Sequence, residues 1–223
     1  MENVLIFGAS GMVGQGVLRE CLLDPRIKKI QAIGRTPVES DDERLQNFVH
    51  SDLWNYDSIQ DQLRGFDACF FCLGTTSAGK TEQEYTHITQ DLTLAAAQAL
   101  VKLNPNMTFI YVSGQGADNT EKSKAMWARV RGHTENALRG LPFKAVYIFR
   151  PGMIQPLHDA ESKTPSYRLM YRALRPVLPT LRKRFPNFIT TTEQIGRAML
   201  AVAANGADKA VLTNRDFDRI VPN

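Results

Sequence analysis

The stretch from residue 4 to residue 16 constrains this chain more than any other. It reads Val4-Leu5-Ile6-Phe7, then Gly8-Ala9-Ser10-Gly11-Met12-Val13-Gly14, with Val17, Leu18, Cys21 and Leu22 following at helical spacing. Consecutive apolar residues closed by a glycine turn, then a period near 3.6, predict a buried strand, a tight turn and a helix. Glycines let a backbone approach an anion closely. The first N–H groups of a helix lack internal partners and sit at the positive end of its dipole. A pyrophosphate fits there, held by Gly8, Ser10, Gly11, Met12, Val13 and Gly14. The spacing is G-x-x-G-x-x-G, not the dinucleotide fingerprint G-x-G-x-x-G, so the expectation leans on the strand-and-helix context as much as on the glycines.

The end of the next strand selects the dinucleotide. After a break at Asp24-Pro25, Lys29 to Ile33 reads as a short strand ending in Gly34-Arg35-Thr36-Pro37. An acidic side chain about 20 residues past the glycines holds a ribose 2′-hydroxyl, whereas an arginine accommodates a 2′-phosphate. Arg35 therefore points to NADP(H) over NAD(H), because a guanidinium grips phosphate bidentately and stays charged. A solvent-facing turn arginine is the plain alternative. A short strand near Asn47 to His50 leads to Asp52-Leu53, placed where an adenine amino group is read. A helix is predicted from Tyr56 to Leu63, then a strand from Asp67 to Leu73 that closes on Gly74-Thr75-Thr76. Small and hydroxyl-bearing residues there suit a loop beside the cofactor, with Leu73, Gly74 and Thr75 in contact.

Thr81 and Glu84 form a capping-box signal, after which Tyr85, Ile88, Leu92, Ala95, Ala96 and Ala99 build a long helix. A strand from Met107 to Val112 ends in Ser113-Gly114-Gln115-Gly116. A helix from Lys124 to Leu138 follows, then a strand from Phe143 to Phe149 closed by Arg150-Pro151-Gly152. This alternation predicts an α/β, Rossmann-type doubly wound parallel sheet, read as a single domain over residues 1–223, with ligands at the carboxyl ends of its strands. Residues 153–191 read as a small helical excursion covering the crevice on its substrate side. Tyr167, Met170, Tyr171, Leu174 and Leu178 form one helical face there, interrupted by Pro176 and Pro179. Thr192 is expected to cap a further helix, and Ala210 to Thr213 and Phe217 to Val221 to close the fold as strands.

Hydrophobic and charged contents of 43% and 22% are those of a soluble globular protein. No apolar run approaches the roughly 20 residues that cross a bilayer, and no charged n-region with an apolar h-region precedes the first strand. The cytoplasm is the expected compartment. Cys69 and Cys72 have C-x-x-C spacing but fall in a strand, where they point to opposite faces, so neither a redox pair nor a metal site is expected. Net charge is +4. From Ser162 to Thr192 there is no acidic residue, while Lys163, Arg168, Arg172, Arg175, Arg182, Lys183 and Arg184 all fall there. A solvated outer face is the expected role, with an anionic membrane surface or a protein partner left open. Nucleic acid is not expected, since no recognition module or exposed aromatic set accompanies the charge.

Five motifs together carry a family likeness: Gly8-x-x-Gly11-x-x-Gly14, Gly34-Arg35, Cys72-Leu73-Gly74-Thr75-Thr76, Tyr111-Val112-Ser113 and Arg150-Pro151-Gly152. The chain resembles the short-chain dehydrogenase/reductase superfamily in its atypical and extended branches. Within it, the chain is similar to the Tat-interacting-protein type of oxidoreductases and to bacterial nucleoside-diphosphate-sugar epimerase-like proteins. The Leu-Gly-Thr-Thr loop and Ile195-Gly196-Arg197-Ala198-Met199 carry that narrower likeness. The resemblance implies NAD(P) binding, with Pro151 and Gly152 beside the cofactor, and a catalytic serine with a Tyr-x-x-x-Lys pair. Ser113 matches the serine; Trp127 and Arg131 stand where the tyrosine and lysine belong. An indole N–H donates but has no accessible anion, so Trp127 cannot shuttle a proton as a phenol does. Arg131 can still grip ribose hydroxyls. His158 and Tyr167 are candidate replacement acids, while His133 lies on another helical face. Two functions stay open: an oxidoreductase or epimerase-like enzyme acting on an unknown small carbonyl or hydroxyl substrate, or a catalytically silent NADP(H) sensor or regulatory partner.

Overall fold

The computed structural model describes residues 1–161, 165–174 and 177–222. Lys163, Arg175 and Pro176 of the excursion lie outside the described residues, as do the side chains of Tyr167, Met170 and Arg172. Strands β1 (Asn3–Phe7), β2 (Lys29–Gly34), β3 (Leu45–Val49), β4 (Ala68–Phe71), β5 (Thr108–Val112) and β6 (Ala145–Arg150) alternate with helices α1 (Met12–Leu23), α2 (Glu82–Thr86), α3 (Leu92–Leu103) and α4 (Met126–Arg139). The excursion opens with β7 (Met153–Gln155), carries α5 (Pro165–Leu174) and α6 (Leu178–Arg184), and returns through β8 (Ile189–Thr191). Helix α7 (Thr192–Asn205), β9 (Val211–Thr213) and α8 (Asn214–Ile220) complete the described chain.

The main sheet runs β3-β2-β1-β4-β5-β6-β9, and each of its described pairings is parallel. This is the Rossmann order with a seventh strand added, and its reversal between β1 and β4 creates the crevice in which such sheets bind ligands. Alternate residues of β1 serve opposite cores. Val4 and Ile6 join Val17, Phe70, Phe149, Ile195 and Met199 on one face; Leu5 and Phe7 join Cys69, Phe71, Phe109, Leu100 and Leu138 on the other. Burial on both sides explains why these strands read as unbroken apolar runs. Cys69 and Cys72 likewise fall to opposite cores, and burial pushes both thiols up, Cys72 to about 12. Burial thus disfavours the thiolate that redox chemistry requires.

Several elements differ from the sequence expectation. Phe217 to Ile220 is helical and Val221 is the C-cap, so no strand forms there. Thr213 and Asp216 form a capping box that starts α8, and Lys209 Nζ lies 2.9 Å from the Asp216 carboxylate. The cap of α7 is Thr191, whose hydroxyl accepts from Gln194 N, and Thr192 is the first helical residue. The segment Asp57–Leu63 is a 3-10 turn broken at Ile59. The long helix begun by Thr81 is interrupted by a π turn at His87–Asp91. The excursion is tied at its base by a two-stranded parallel sheet, β7 with β8.

Candidate functional site

Register brings the strand ends into line. Phe7 pairs with Ile33 and Phe71, Phe71 with Tyr111, and Tyr111 with Ile148. The loops that follow therefore open on one edge of the sheet, around a cavity of about 1120 Å³. Gly8, Ser10, Gly11, Met12, Val13, Arg35, Leu53, Leu73, Gly74, Thr75, Ser113, Trp127, Arg131, Pro151 and Gly152 all line it. Among the sequence-derived candidates, Gly14 and Asp52 do not. A Cβ on Gly14 would stand 2.1 Å from Gly8 O, so this glycine lets the helix start pack on the turn without itself facing the cavity. Asp52 caps a local turn, accepting from Trp54 N at 3.0 Å.

The glycine turn has the shape a pyrophosphate requires. Gly8 adopts φ +78°, and a Cβ there would lie 2.9 Å from Leu73 N. Gly11 is the N-cap of α1, with no side-chain cap and no acidic residue in the first turn. The N-terminal N–H groups of α1 thus meet the cavity without a competing protein anion. Gln15 Nε2 donates to Ser10 O at 3.0 Å and to Glu161 O at 3.3 Å, tying the excursion to the turn. Arg35, at the end of β2, is exposed and makes no ion pair with the described residues.

The opposite wall is set by the loop after β5. Ser113 N donates to Phe149 O and Gln115 N to Pro151 O, both at 2.8 Å, fixing this loop against the one after β6. Ser113 Oγ donates to Glu135 Oε1 at 2.5 Å. Glu135 is fully buried, and Arg150 binds it through Nε at 3.0 and 3.1 Å and Nη2 at 2.5 Å. Asn119 Nδ2 adds a bond at 3.1 Å, and its Oδ1 accepts from Arg150. Sequence reading missed Glu135; its place two helical turns past Trp127, on the same face of α4, was the available signal. Ser113 thus gives its only proton to a buried carboxylate and faces the cavity as an acceptor.

Trp127 packs on Gly116, where a Cβ would sit 3.0 Å from the indole Cη2. Arg131 donates through Nε to Tyr85 Oη at 3.0 Å and through Nη1 to Val112 O at 3.4 Å. Burial works against its charge, but the neighbouring Tyr111, Tyr85 and Glu135 outweigh that and hold it as a cation. Neither candidate histidine lines this cavity. His158 Nε2 stands 2.7 Å from Glu193, beside a separate cavity of about 490 Å³ under the excursion, and His133 pairs with Glu121 at 2.8 Å.

Residues 4–125 match the NAD dependent epimerase/dehydratase family. The chain belongs to that family. It is 31% identical to "Protein fmp52, mitochondrial" of Emericella nidulans over 161 residues, 69% of this chain and 67% of the fungal one. To "Protein HTATIP2" of Rattus norvegicus it is 29% identical over 167 residues, 74% of this chain. That match spans 66% of the rat protein, just under two thirds of its length. A short chain dehydrogenase family protein from Francisella tularensis superposes with a TM-score of 0.67 at 16% identity, covering 96% of each chain. The Bordetella bronchiseptica enzyme WbmF, solved in complex with NAD+, gives 0.65 at 15% identity over 98% of this chain and 76% of that one. These structures share the α/β Rossmann-like fold seen here. The turn at Gly8 and the uncapped start of α1 fit an NAD(P) dinucleotide, and no described helix is long and apolar enough to cross a membrane.

Proposed function

We propose that this family member binds NADP(H) and acts as an oxidoreductase or epimerase-like enzyme on a small carbonyl or hydroxyl substrate. The observation that carries the preference for NADP(H) is Arg35, exposed at the end of β2, lining the cavity and without an ion-pair partner among the described residues. Gly8, Gly11 and the first turn of α1 hold the pyrophosphate, Leu53 flanks the adenine, and Arg131 reaches the ribose of the nicotinamide half. The bound dinucleotide supplies a hydride. Ser113 Oγ, its proton given to Glu135, accepts a hydrogen bond from a substrate hydroxyl and so positions it. Trp127 supplies a flat apolar wall.

A second reading, an NADP(H)-binding partner without turnover, is favoured by the same Ser113–Glu135 bond. A serine committed to a carboxylate cannot donate to a carbonyl oxygen. Incubating the purified chain with NADPH and a panel of aldehydes and ketones, following loss of NADPH absorbance, separates the two. Turnover of any member supports the enzyme; NADPH binding with no turnover supports the silent partner.

A further inference from the structure

We infer that the proton donor of this site is Tyr85, contributed by α2 in place of the family's tyrosine on α4; the inference rests on the dinucleotide reading above. Tyr85 lies on α2 two residues before the π turn, a distortion frequent at functional sites. Its ring is buried, with 1% of its surface exposed, and it lines the same cavity as Ser113, Trp127 and Arg131. The Arg131 Nε–H takes one lone pair of the phenol oxygen at 3.0 Å. The phenol O–H remains a donor, and no acceptor for it stands among the described residues.

The other groups on the cavity do not fill this role. Among the described residues, its titratable side chains are Arg35, Cys72, Tyr85 and Arg131. The two arginines are permanent cations. Burial pushes the Cys72 thiol up to about 12. Ser113 gives its proton to Glu135, and the indole of Trp127 has no accessible anion. The cation keeps its place on α4 while the phenol comes from α2, and their chemical relation is the same: a phenol oxygen held by a positive side chain.

For a carbonyl substrate the Tyr85 Oη–H bond breaks and an O–H bond forms on the substrate oxygen, using the former π pair. A bound reduced dinucleotide would supply the hydride for the new C–H bond and would be left oxidised. The phenolate faces the Arg131 guanidinium and recovers its proton from solvent. For a hydroxyl substrate the same events run in reverse. Among the described residues, Arg131, which donates to it, and Tyr111 face this phenol, with Glu135 beside those two, while Glu82 and Glu84 on its own helix are occupied by Arg129 and Thr81.

The test compares the full chain with Tyr85→Phe. NADPH affinity, read by nicotinamide fluorescence, is expected to stay within about threefold, while kcat on the carbonyl panel falls about 100-fold or more. In cofactor-free protein labelled with 3-fluorotyrosine, the 19F resonance that disappears in Tyr85→Phe is expected to move in Arg131→Gln, because Nε no longer faces the oxygen. Where Tyr85→Phe does not fold, the labelled protein itself decides: the alkaline limb of its kcat profile moves to lower pH with the more acidic phenol. Four results overturn the inference: kcat retained within about threefold in Tyr85→Phe, an unmoved resonance, an unmoved limb, or a wild type that binds NADPH and reduces nothing. Failure of the wild type to bind NADPH overturns the dinucleotide reading beneath it instead.

Discussion

Glu135→Gln is the substitution that most sharply tests how this site is held together. Every side-chain partner of the Glu135 carboxylate is a donor: Ser113 Oγ at 2.5 Å, Asn119 Nδ2 at 3.1 Å, and Arg150 through Nε and Nη2 at 2.5 to 3.1 Å. An amide places its own NH2 against those donors and strands a largely buried guanidinium. At an effective dielectric constant near 20, a charge pair about 3 Å apart attracts by roughly 5 kcal/mol. Breaking a buried pair by removing one partner costs about 3–5 kcal/mol. In a chain of this size each kcal/mol lowers Tm by about 2–4 °C, so circular-dichroism melting should fall by roughly 6–20 °C. The double variant Glu135→Leu with Arg150→Met should recover most of that loss, since neither charge is then left alone. A single variant that melts within about 2 °C of wild type would refute the argument.

Two further predictions concern the fold around the site. Gly14→Ala gains about 1 kcal/mol of helix propensity. Its Cβ would meet Gly8 O at 2.1 Å and Gly8 C at 2.7 Å, so overpacking of about 1–3 kcal/mol or more outweighs that gain. Urea unfolding should show a net loss of stability and fluorescence titration a weaker NADPH affinity. Asp216 is held below the ordinary carboxylate range: burial works against its charge, but bonds from Thr213 and the Lys209 ammonium outweigh it. Its folded value lies below its unfolded one, so its contribution is complete above about pH 4 and is lost as pH falls through the folded value. Asp216→Asn should cost about 1–2 kcal/mol at neutral pH, and melting curves should show the gap from wild type closing in acid.

The doubly wound sheet was readable because its strands are buried on both faces. Val4 to Phe7 and Ala68 to Phe71 carry no polar interruption, and their glycine-bearing ends mark the ligand edge. Most of the cavity lining was legible for the same reason: it follows those strand ends directly. What escaped was set by contacts distant in sequence. Glu135 binds Ser113 across 22 residues and Tyr85 meets Arg131 across 46, and neither pairing leaves a local pattern. The helix at Asn214–Ile220 is different, since Thr213-x-x-Asp216 was a capping signal in plain view, outweighed by the apolar and β-branched end of the segment. The spacing points Gly14 at the ligand, whereas its neighbour in the fold is the backbone of Gly8.

The central claim is that the cavity at the carboxyl edge takes NADP(H), with Arg35 recognising the 2′-phosphate. Calorimetric titration of the purified chain and of Arg35→Ala with NADPH and NADH tests it most directly. The account predicts that wild type binds NADPH at least about tenfold more tightly than NADH, a difference of about 1.4 kcal/mol, and that Arg35→Ala removes the preference while leaving NADH affinity unchanged. Equal binding of both dinucleotides by wild type would contradict the role of Arg35, and binding of neither would contradict the site.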